Sequence, residues 1–470
     1  MEKFSAIYTD LYQLSMAQVY FEKGHQDHDA VFDYFFRKLP FEGGYAVFAG
    51  MEDLLGIISN LRFSEEDLEY LKEQGFKEAF LEYLKNFKFN GTIYSSREGD
   101  VVFPTRPVLQ VEANIIEAQI IETILLNLLN FQTLIATKAS RIRLVAGDAK
   151  LLDFGLRRAQ ATGGYYASRA AMVGGFNGTS NVIAGKEFGI PVSGTMAHSF
   201  IQSYDDELEA FRDFAEGRPK NCVLLVDTYD TLKSGVPNAI KVAKEMEARG
   251  DKLLAIRLDS GDLSYFAKNS RKMLDDAGLE YVKIAASNQL DENVIKSLLE
   301  QQAPIDVFGV GTNLVTGDPD GALDGVYKLS WSNGKPRIKI SESIVKVTLP
   351  HKKQVFRIKD KNNRCIGADA VGLRDQNHIG EMFHPFEPYK SMKIDDYEQE
   401  PLLKKVMENG KVLIEKRSLA EISEYSLSRL SELPIEYKRF NNPHIYKIGI
   451  STQLREEREK LIQSHKNSLK

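Results

Sequence analysis

A chain of 470 residues, 43% of them hydrophobic and 27% charged, is long enough to bury one large core and a second smaller one, so two domains are expected. A net charge of -5 excludes both the basic footprint of a nucleic-acid binder and the charge excess of an acidic disordered tail, which leaves a small molecule as the expected partner. Cys222 and Cys365 stand far apart, with no CxxC pair and no histidine cluster at metal-ligand spacing, so neither a disulfide framework nor a structural zinc is expected and a reducing cytoplasm fits.

The amino terminus, MEKFSAIYTDLYQLSMAQVY, carries acidic and polar residues where an export signal needs a basic stretch and an unbroken apolar run. The stretch richest in apolar residues, Ala113 to Ala136, is interrupted by Glu117, Gln119, Glu122, Asn127, Asn130 and Gln132 and reads as a buried or amphipathic helix, not a membrane span. Residues 88 to 111 and 326 to 369 alternate apolar residues with turns, and Asn333-Gly334 is a strong hairpin signal, so these flanks read as antiparallel β. Pairing them predicts a mixed α+β domain built from residues 1–125 and 345–470, with 126–344 inserted between its halves. The tail from Ser451 reads as a solvated charged helix.

Between Leu151 and Val310 short apolar runs recur, each ending in small or polar residues. They are LLDFG (151–155), IPVSGT (190–195), VLLVDT (223–228), LLAIRLDSGD (253–262), VKIAASN (282–288) and DVFGVGTN (306–313). The last four begin roughly 25 to 30 residues apart, enough for a strand, a helix and two turns, and helical patterns at Ala239 to Arg249 and Asp291 to Glu300 fill the gaps. Apolar strands alternating with helices predict an α/β fold with a parallel sheet covered on both faces. Because polar residues follow almost every strand, a barrel with converging loops is favoured over an open sheet with one crevice.

The chemistry collects at those strand ends. In FGLRRAQ an aromatic precedes paired arginines: Phe154 could stack on a flat ring and an arginine bind phosphate, or they could be a core phenylalanine with two surface arginines. GTMAHSF sets Thr195 and His198 three residues apart at a cleft lined by small polar residues, although a lone histidine can also be a satisfied core group. RLDSGDL alternates Arg257 with Asp259 and Asp262, a mix suited to a polyanion carried with magnesium, or to a helix start capped by Asp259 or Ser260. In VFGVGTN, Gly311 and Thr312 suit a late-strand phosphate turn, while the absence of GxxxxGK[ST] excludes a P-loop. VLLVDTYDTLKSG partly resembles the sugar-diphosphate loop of type I phosphoribosyltransferases, but Thr228 and Tyr229 separate its acids, Asp227 and Asp230, and the small Thr-Gly turn is missing.

Taken in order, YTDLYQLSMAQVY, FGLRRAQ, GTMAHSF, LLVDTYDT, RLDSGDL and FGVGTN resemble the motif set of the nicotinate phosphoribosyltransferases across most of the chain. The resemblance implies a type II phosphoribosyltransferase: an irregular α/β barrel of parallel strands with a second α+β domain, cytoplasmic, and a homodimer with shared active sites. It implies ligase-type chemistry in NAD salvage, with nicotinate, 5-phosphoribosyl 1-diphosphate and ATP giving nicotinate mononucleotide, diphosphate, ADP and phosphate, with Mg2+. By motif, His198 would be the phosphohistidine, and Thr195 and Arg257 would contact nicotinate. Tyr12 of a neighbouring subunit would stack on the ring, Phe154 would cover its other face, and Arg157, Asp259, Gly311 and Thr312 would hold the phosphoribosyl diphosphate. Nicotinamide phosphoribosyltransferase is the nearest alternative; it carries an aspartate in the segment matching FNGTSNVIAG (176–185), where this sequence has the neutral Ser180 and Asn181. Quinolinate phosphoribosyltransferase resembles it less, and a catalytically silent relative would lack His198, Arg257 or Asp259, all of which are present.

Overall fold

Apolar runs buried on both faces fit only the interior of a layered sheet, and five of them pair in one direction, together with a short polar strand, in the computed structural model, which describes residues 4–342, 347–387 and 389–468. They are β1 (Lys150–Asp153), β2 (Gly178–Thr179), β3 (Val223–Leu225), β4 (Ala255–Leu258), β5 (Lys283–Ser287) and β6 (Val307–Val310). Their order is β2-β1-β6-β5-β4-β3, and every neighbouring pair is parallel. The chain is therefore mixed α/β, as expected. The barrel is not seen as a closed ladder: among the described residues no strand pairing joins β2 to β3.

Parallel neighbours need crossovers, and helices supply them. Ala161–Val173 follows β1, Val236–Ala248 follows β3, Leu263–Asp276 follows β4 and Glu292–Glu300 follows β5. The third starts where the Asp262 carboxylate accepts the Tyr265 N–H at 3.0 Å, and the fourth where Asp291 accepts those of Asn293 and Val294 at 2.9 and 2.7 Å. Asp262 is thus the cap at this start, not Asp259 or Ser260. Val236–Ala248 buries Val236, Ala239, Val242, Ala243 and Met246, a stripe at helical spacing, and the chain then turns at Gly250 with φ +87°.

One expected strand is replaced. IPVSGT forms only a single parallel bridge, Val192 to Thr179, and the strand of that region is the polar pair Gly178–Thr179. Pro191 has no N–H to give a ladder, though its carbonyl accepts the Thr179 N–H at 3.0 Å.

The six strands belong to one of two compact units, comprising Ile135–Gly321 with Ser418–Ser423; the other comprises Met1–Leu134, Ala322–Arg417 and Glu424–Lys470. The boundary expected at 344/345 lies outside the described residues. This second unit holds a seven-stranded antiparallel sheet, in which Asp29–Phe36 lies between Gly325–Ser332 and Leu109–Asn114. Asn333 and Gly334 take the left-handed conformations, φ 51° and 70°, that turn Gly325–Ser332 back onto Lys335–Pro336. A six-stranded mixed sheet covers a buried ionic cluster: Arg357 bonds Asp100 at 3.0 Å and Asp369 at 3.1 Å, while Arg429 bonds Asp100 at 2.9 Å. Two-partner pairing of this kind offsets the cost of taking the charges out of water. The tail helix Thr452–Ser468 buries only Leu454 and Arg458, and among the described residues no helix is long and apolar enough to cross a membrane.

Candidate active site

Parallel strands all point the same way, so their carboxyl ends share one edge of the sheet, and the side chains just beyond them are the ones that can meet. Arg257, the third residue of β4, does so across 62 positions of sequence: its Nη1 donates to the Thr195 hydroxyl and, at 3.2 Å, to the Met196 carbonyl. The Gly194–His198 segment starts beside β2, where the Ser193 N–H bonds the Thr179 carbonyl at 2.9 Å. Arg257 Nη2 lies 3.8 Å from Asp259 Oδ1, while the Nε of Arg257 is buried with no hydrogen-bond partner among the described residues. Burial pushes the guanidinium below its ordinary value, Asp259 and Asp227 pull it back up, and Arg157 adds repulsion, so both arginines act in one field. The group remains a cation with a donor to spare.

His198 opens the short helix His198–Gln202 and is partly exposed. Its Nδ1 lies 3.1 Å from the Thr228 hydroxyl and its Nε2 lies 3.9 Å from Asp259 Oδ2. One ring nitrogen is thus held by β3's loop and the other faces the loop of β4. Asp259 in turn accepts the Ser287 hydroxyl at the end of β5, and its backbone N–H donates to Asp227 Oδ2 at 2.8 Å. Asp227 also accepts the Ser260 hydroxyl at 2.6 Å; its Oδ1 is buried without a partner among the described residues.

At the ends of the adjacent strands β1 and β6, the Phe154 N–H donates to the Val310 carbonyl at 2.8 Å, extending the β1–β6 pairing by one bond. The Phe154 ring covers Gly309 so closely that a Cβ there would overlap it, and Gly311 runs beside the Phe154 carbonyl. Arg157, in the exposed turn Leu156–Arg158, and Thr312, at the start of Thr312–Val315, both face solvent. Asn313 donates to the carbonyls of Gln289 and Leu290 at 3.3 and 3.2 Å, joining the β6 loop to the β5 loop, where Asn288 and Gln289 are left-handed.

Thr195, His198, Arg257 and Asp259 are therefore gathered in one constellation, and Phe154, Gly311 and Thr312 in a second at the ends of β1 and β6. Tyr12 lies in the other unit, half exposed on helix Leu11–Glu22. Asp230 is a helix cap, bonding the N–H of Lys233 at 2.9 Å. Sequence reading did not single out Thr228, Ser287 or the free oxygen of Asp227. The end of the run VLLV was a usable signal for the first and third, because side chains directly after a buried parallel strand point to the ligand edge.

Residues 7–130 match the nicotinate phosphoribosyltransferase N-terminal domain, residues 149–376 the nicotinate phosphoribosyltransferase family, and residues 352–458 its C-terminal domain. Nicotinate phosphoribosyltransferase of Bacillus subtilis is 45% identical over 95% of this chain and 93% of its own length. The chain belongs to the nicotinate phosphoribosyltransferase family. A human family member is 33% identical over 95% of this chain and 94% of its own, and the crystal structure of human nicotinic acid phosphoribosyltransferase superposes with TM-score 0.86, covering 96% of this chain and 99% of that one at 31% identity. Within the family, the neutral Ser180 and Asn181 acquire a structural reason: Asn181 is buried, its carbonyl oxygen capping Val182–Phe188 through the Ala184 N–H and its amide donating to Ser168.

Proposed function

We infer that this enzyme is a nicotinate phosphoribosyltransferase, joining the ring nitrogen of nicotinate to C1 of 5-phosphoribosyl 1-diphosphate and releasing diphosphate, a step of NAD synthesis. The observation that carries the reading is Arg257, a half-buried cation whose Nε–H has no partner among the described residues, beside the Thr195 hydroxyl: a planar donor fork for a carboxylate, next to the acids of the neighbouring strand ends. The neutral Ser180-Asn181 pair offers nothing to repel a carboxylate and no anion for a carboxamide, which favours nicotinate over nicotinamide.

Leaving of diphosphate builds positive charge on the sugar and negative charge on the departing oxygens. The chain's work is therefore positioning and charge stabilisation. In this reading Phe154 and the partner subunit's Tyr12 sandwich the pyridine ring, while Arg157, Asp259, Gly311 and Thr312 hold the phosphoribosyl diphosphate. A homodimer is supported by the exposed Tyr8, Leu11, Tyr12 and Val19 on and beside helix Leu11–Glu22, an apolar surface that a second copy would cover. Cytoplasmic residence is supported by Cys222 and Cys365, both free thiols.

Magnesium fits the donors present. Among the described residues no cluster of three or more His, Cys, Asp or Glu forms a cage, and Asp227, with its free Oδ1, and Asp259 would hold the ion together with substrate oxygens, the manner usual for this cation. When bound it would neutralise the leaving diphosphate. For ATP coupling, Thr228 fixes His198 Nδ1 and leaves Nε2 to take the γ-phosphoryl group as ADP departs. Phospho-His198 then favours the state that binds substrates better, and water later releases phosphate. The irregular barrel belongs to this reading too, supported by Arg257 of β4 bonding the segment that follows the single bridge onto β2.

The test is to supply nicotinate or nicotinamide with phosphoribosyl diphosphate, magnesium and ATP, and to measure mononucleotide and ADP. Nicotinate mononucleotide with stoichiometric ADP is expected. Replacing His198 by Asn should end ADP release while a slow ATP-independent reaction persists. Turnover of nicotinamide alone overturns the substrate assignment, and unchanged coupling in His198→Asn overturns the phosphohistidine.

A further inference from the structure

Directly beneath the β1 loop lies a carboxylate that the reaction outlined above does not use. Asp153, the last residue of β1, is 1% exposed. Its Oδ1 accepts the Gly155 N–H at 2.8 Å, and its Oδ2 accepts the hydroxyls of Ser168 and Thr179, each at 2.7 Å. Three elements therefore converge on one side chain: the turn after β1, the helix Ala161–Val173 and strand β2. Burial pushes its carboxyl above the ordinary range while the three hydrogen bonds pull it back, and those partners are neutral donors.

Further contacts tie the turn it holds to the β6 loop. Phe154 is tied to Val310 through its N–H, and the Arg158 N–H donates to the Gly155 carbonyl at 2.7 Å. A Cβ on Gly155 would overlap Val315, so the turn is pressed against the β6 loop. Thr179 passes the order onward: while donating to Asp153 its hydroxyl accepts the Asn181 N–H at 3.0 Å, fixing the Ser180-Asn181 segment. Asn181 also donates to Ser168 at 3.2 Å, closing the network.

We propose that Asp153 is a positioning residue for the nicotinate slot, holding Phe154 and Arg157 through Gly155 and the neutral Ser180-Asn181 segment through Thr179. This rests on the ring-binding role given to Phe154 above. Asp153 touches no substrate. Its contribution is that the aromatic shelf, the phosphate-binding turn and the segment facing the ring are set by one buried carboxyl group, so binding of the ring need not order them.

The test compares Asp153→Ala and Asp153→Asn with wild type in steady state, with melting temperature as the measure of folding. An asparagine can keep its oxygen on the Gly155 N–H and turn its amide to the two hydroxyls, which rotate to accept; Ser168 retains the Gly164 carbonyl, at 3.0 Å, as an acceptor. Asp153→Ala should raise KM for nicotinate about a hundredfold, and Asp153→Asn only about tenfold, the spread expected between losing and weakening charge-assisted hydrogen bonds, with kcat within about threefold in Asp153→Asn. A folded Asp153→Ala with wild-type KM overturns the proposal, as does an asparagine variant no better than alanine. Should alanine not fold, Asp153→Asn decides alone: a nicotinate KM within twofold of wild type, allowing about that for error, overturns it. Failure of wild type itself to turn over nicotinate would instead overturn the proposed function, so the two failures are distinct.

Discussion

The carboxylate of Asp227 accepts the backbone N–H of Asp259 at 2.8 Å, so the acid after β3 fixes the position of the acid after β4. Only one of its oxygens is used. Oδ2 serves Asp259 and Ser260, and Oδ1 is left buried without a partner among the described residues. A buried carboxylate oxygen with nothing on it costs free energy in the empty chain, and a ligand that supplies a cation or donor recovers it.

Asp227→Asn separates the two oxygens. The asparagine oxygen can keep both hydrogen bonds, and the amide takes the place of the free oxygen, so the fold should lose only about 1 kcal/mol. The charge and the free acceptor are lost. We expect kcat/KM for phosphoribosyl diphosphate to fall about tenfold to a hundredfold and half-saturating magnesium to rise. Titrating magnesium at fixed substrate checks this, and an unchanged magnesium dependence would show that Oδ1 does not face the metal-bearing ligand.

Arg257→Lys keeps the charge and loses the fork. The native guanidinium spends Nη1 on Thr195 and Met196 and has no partner on Nε among the described residues, whereas a lysine ammonium is a single point that cannot serve the backbone carbonyl and a planar carboxylate together. KM for nicotinate should rise about tenfold to a hundredfold, with phosphoribosyl diphosphate affinity changed much less. Equal losses for both substrates would place Arg257 on the phosphates instead.

The strands of this site were legible because continuous burial leaves a continuous apolar run: LLAIRL became Ala255–Leu258, VKIAAS became Lys283–Ser287 and VFGV became Val307–Val310. Gly178–Thr179 was not, since a two-residue edge strand in FNGTSN has too little side chain to print a pattern, and its partner at Val192 bridges it once. Residue types at strand ends pointed to Arg257, Asp259 and His198. Their partners were hidden: Thr228 is 30 residues from His198 and Ser287 is 28 from Asp259, separations set by helix lengths and not by any local rule. Asp153 read as the end of a strand because nothing local announces that Ser168 and Thr179 will close over it.

Stability of the unit bearing the site should depend on Glu292, at the start of Glu292–Glu300. It bonds Lys138 Nζ at 2.6 Å and Arg141 Nε at 2.9 Å, all three side chains being nearly inaccessible. Burial pushes its carboxyl up, and the two cations more than reverse this, leaving it below the ordinary carboxylate range. A depressed folded value means the contribution is complete above the unfolded value of about 4.3 and drains away as pH falls through the folded one. Glu292→Ala leaves two buried cations facing each other and should cost about 3 to 5 kcal/mol at neutral pH. Urea unfolding at pH 7 and pH 3.5 checks both points: the gap between variant and wild type should shrink in acid, and a constant gap would mean that packing, not charge, holds this corner.

Gly309 sits inside β6 where the Phe154 ring lies over its backbone, and a Cβ built there would come within 2.5 Å of the ring carbon Cδ2. A rigid ring cannot bend aside as a flexible chain end would, so Gly309→Ala must turn Phe154 about its Cα–Cβ bond or push β6 away from β1. The β1–β6 pairing is a run of parallel bonds extended by Phe154 N–H to Val310, which resists the second outcome. Rotation of the ring is therefore expected, at a cost of about 1 to 3 kcal/mol in stability. If Phe154 forms one wall of the nicotinate slot, the same substitution raises KM for nicotinate while KM for phosphoribosyl diphosphate stays near wild type. Phe154→Leu gives the control: combined with Gly309→Ala it should recover stability, because the smaller side chain no longer meets the added methyl, yet it should not recover nicotinate affinity, because the flat face is gone. Recovery of both would mean that Phe154 only fills space beside β6, and loss of stability without any change in KM would remove it from the site.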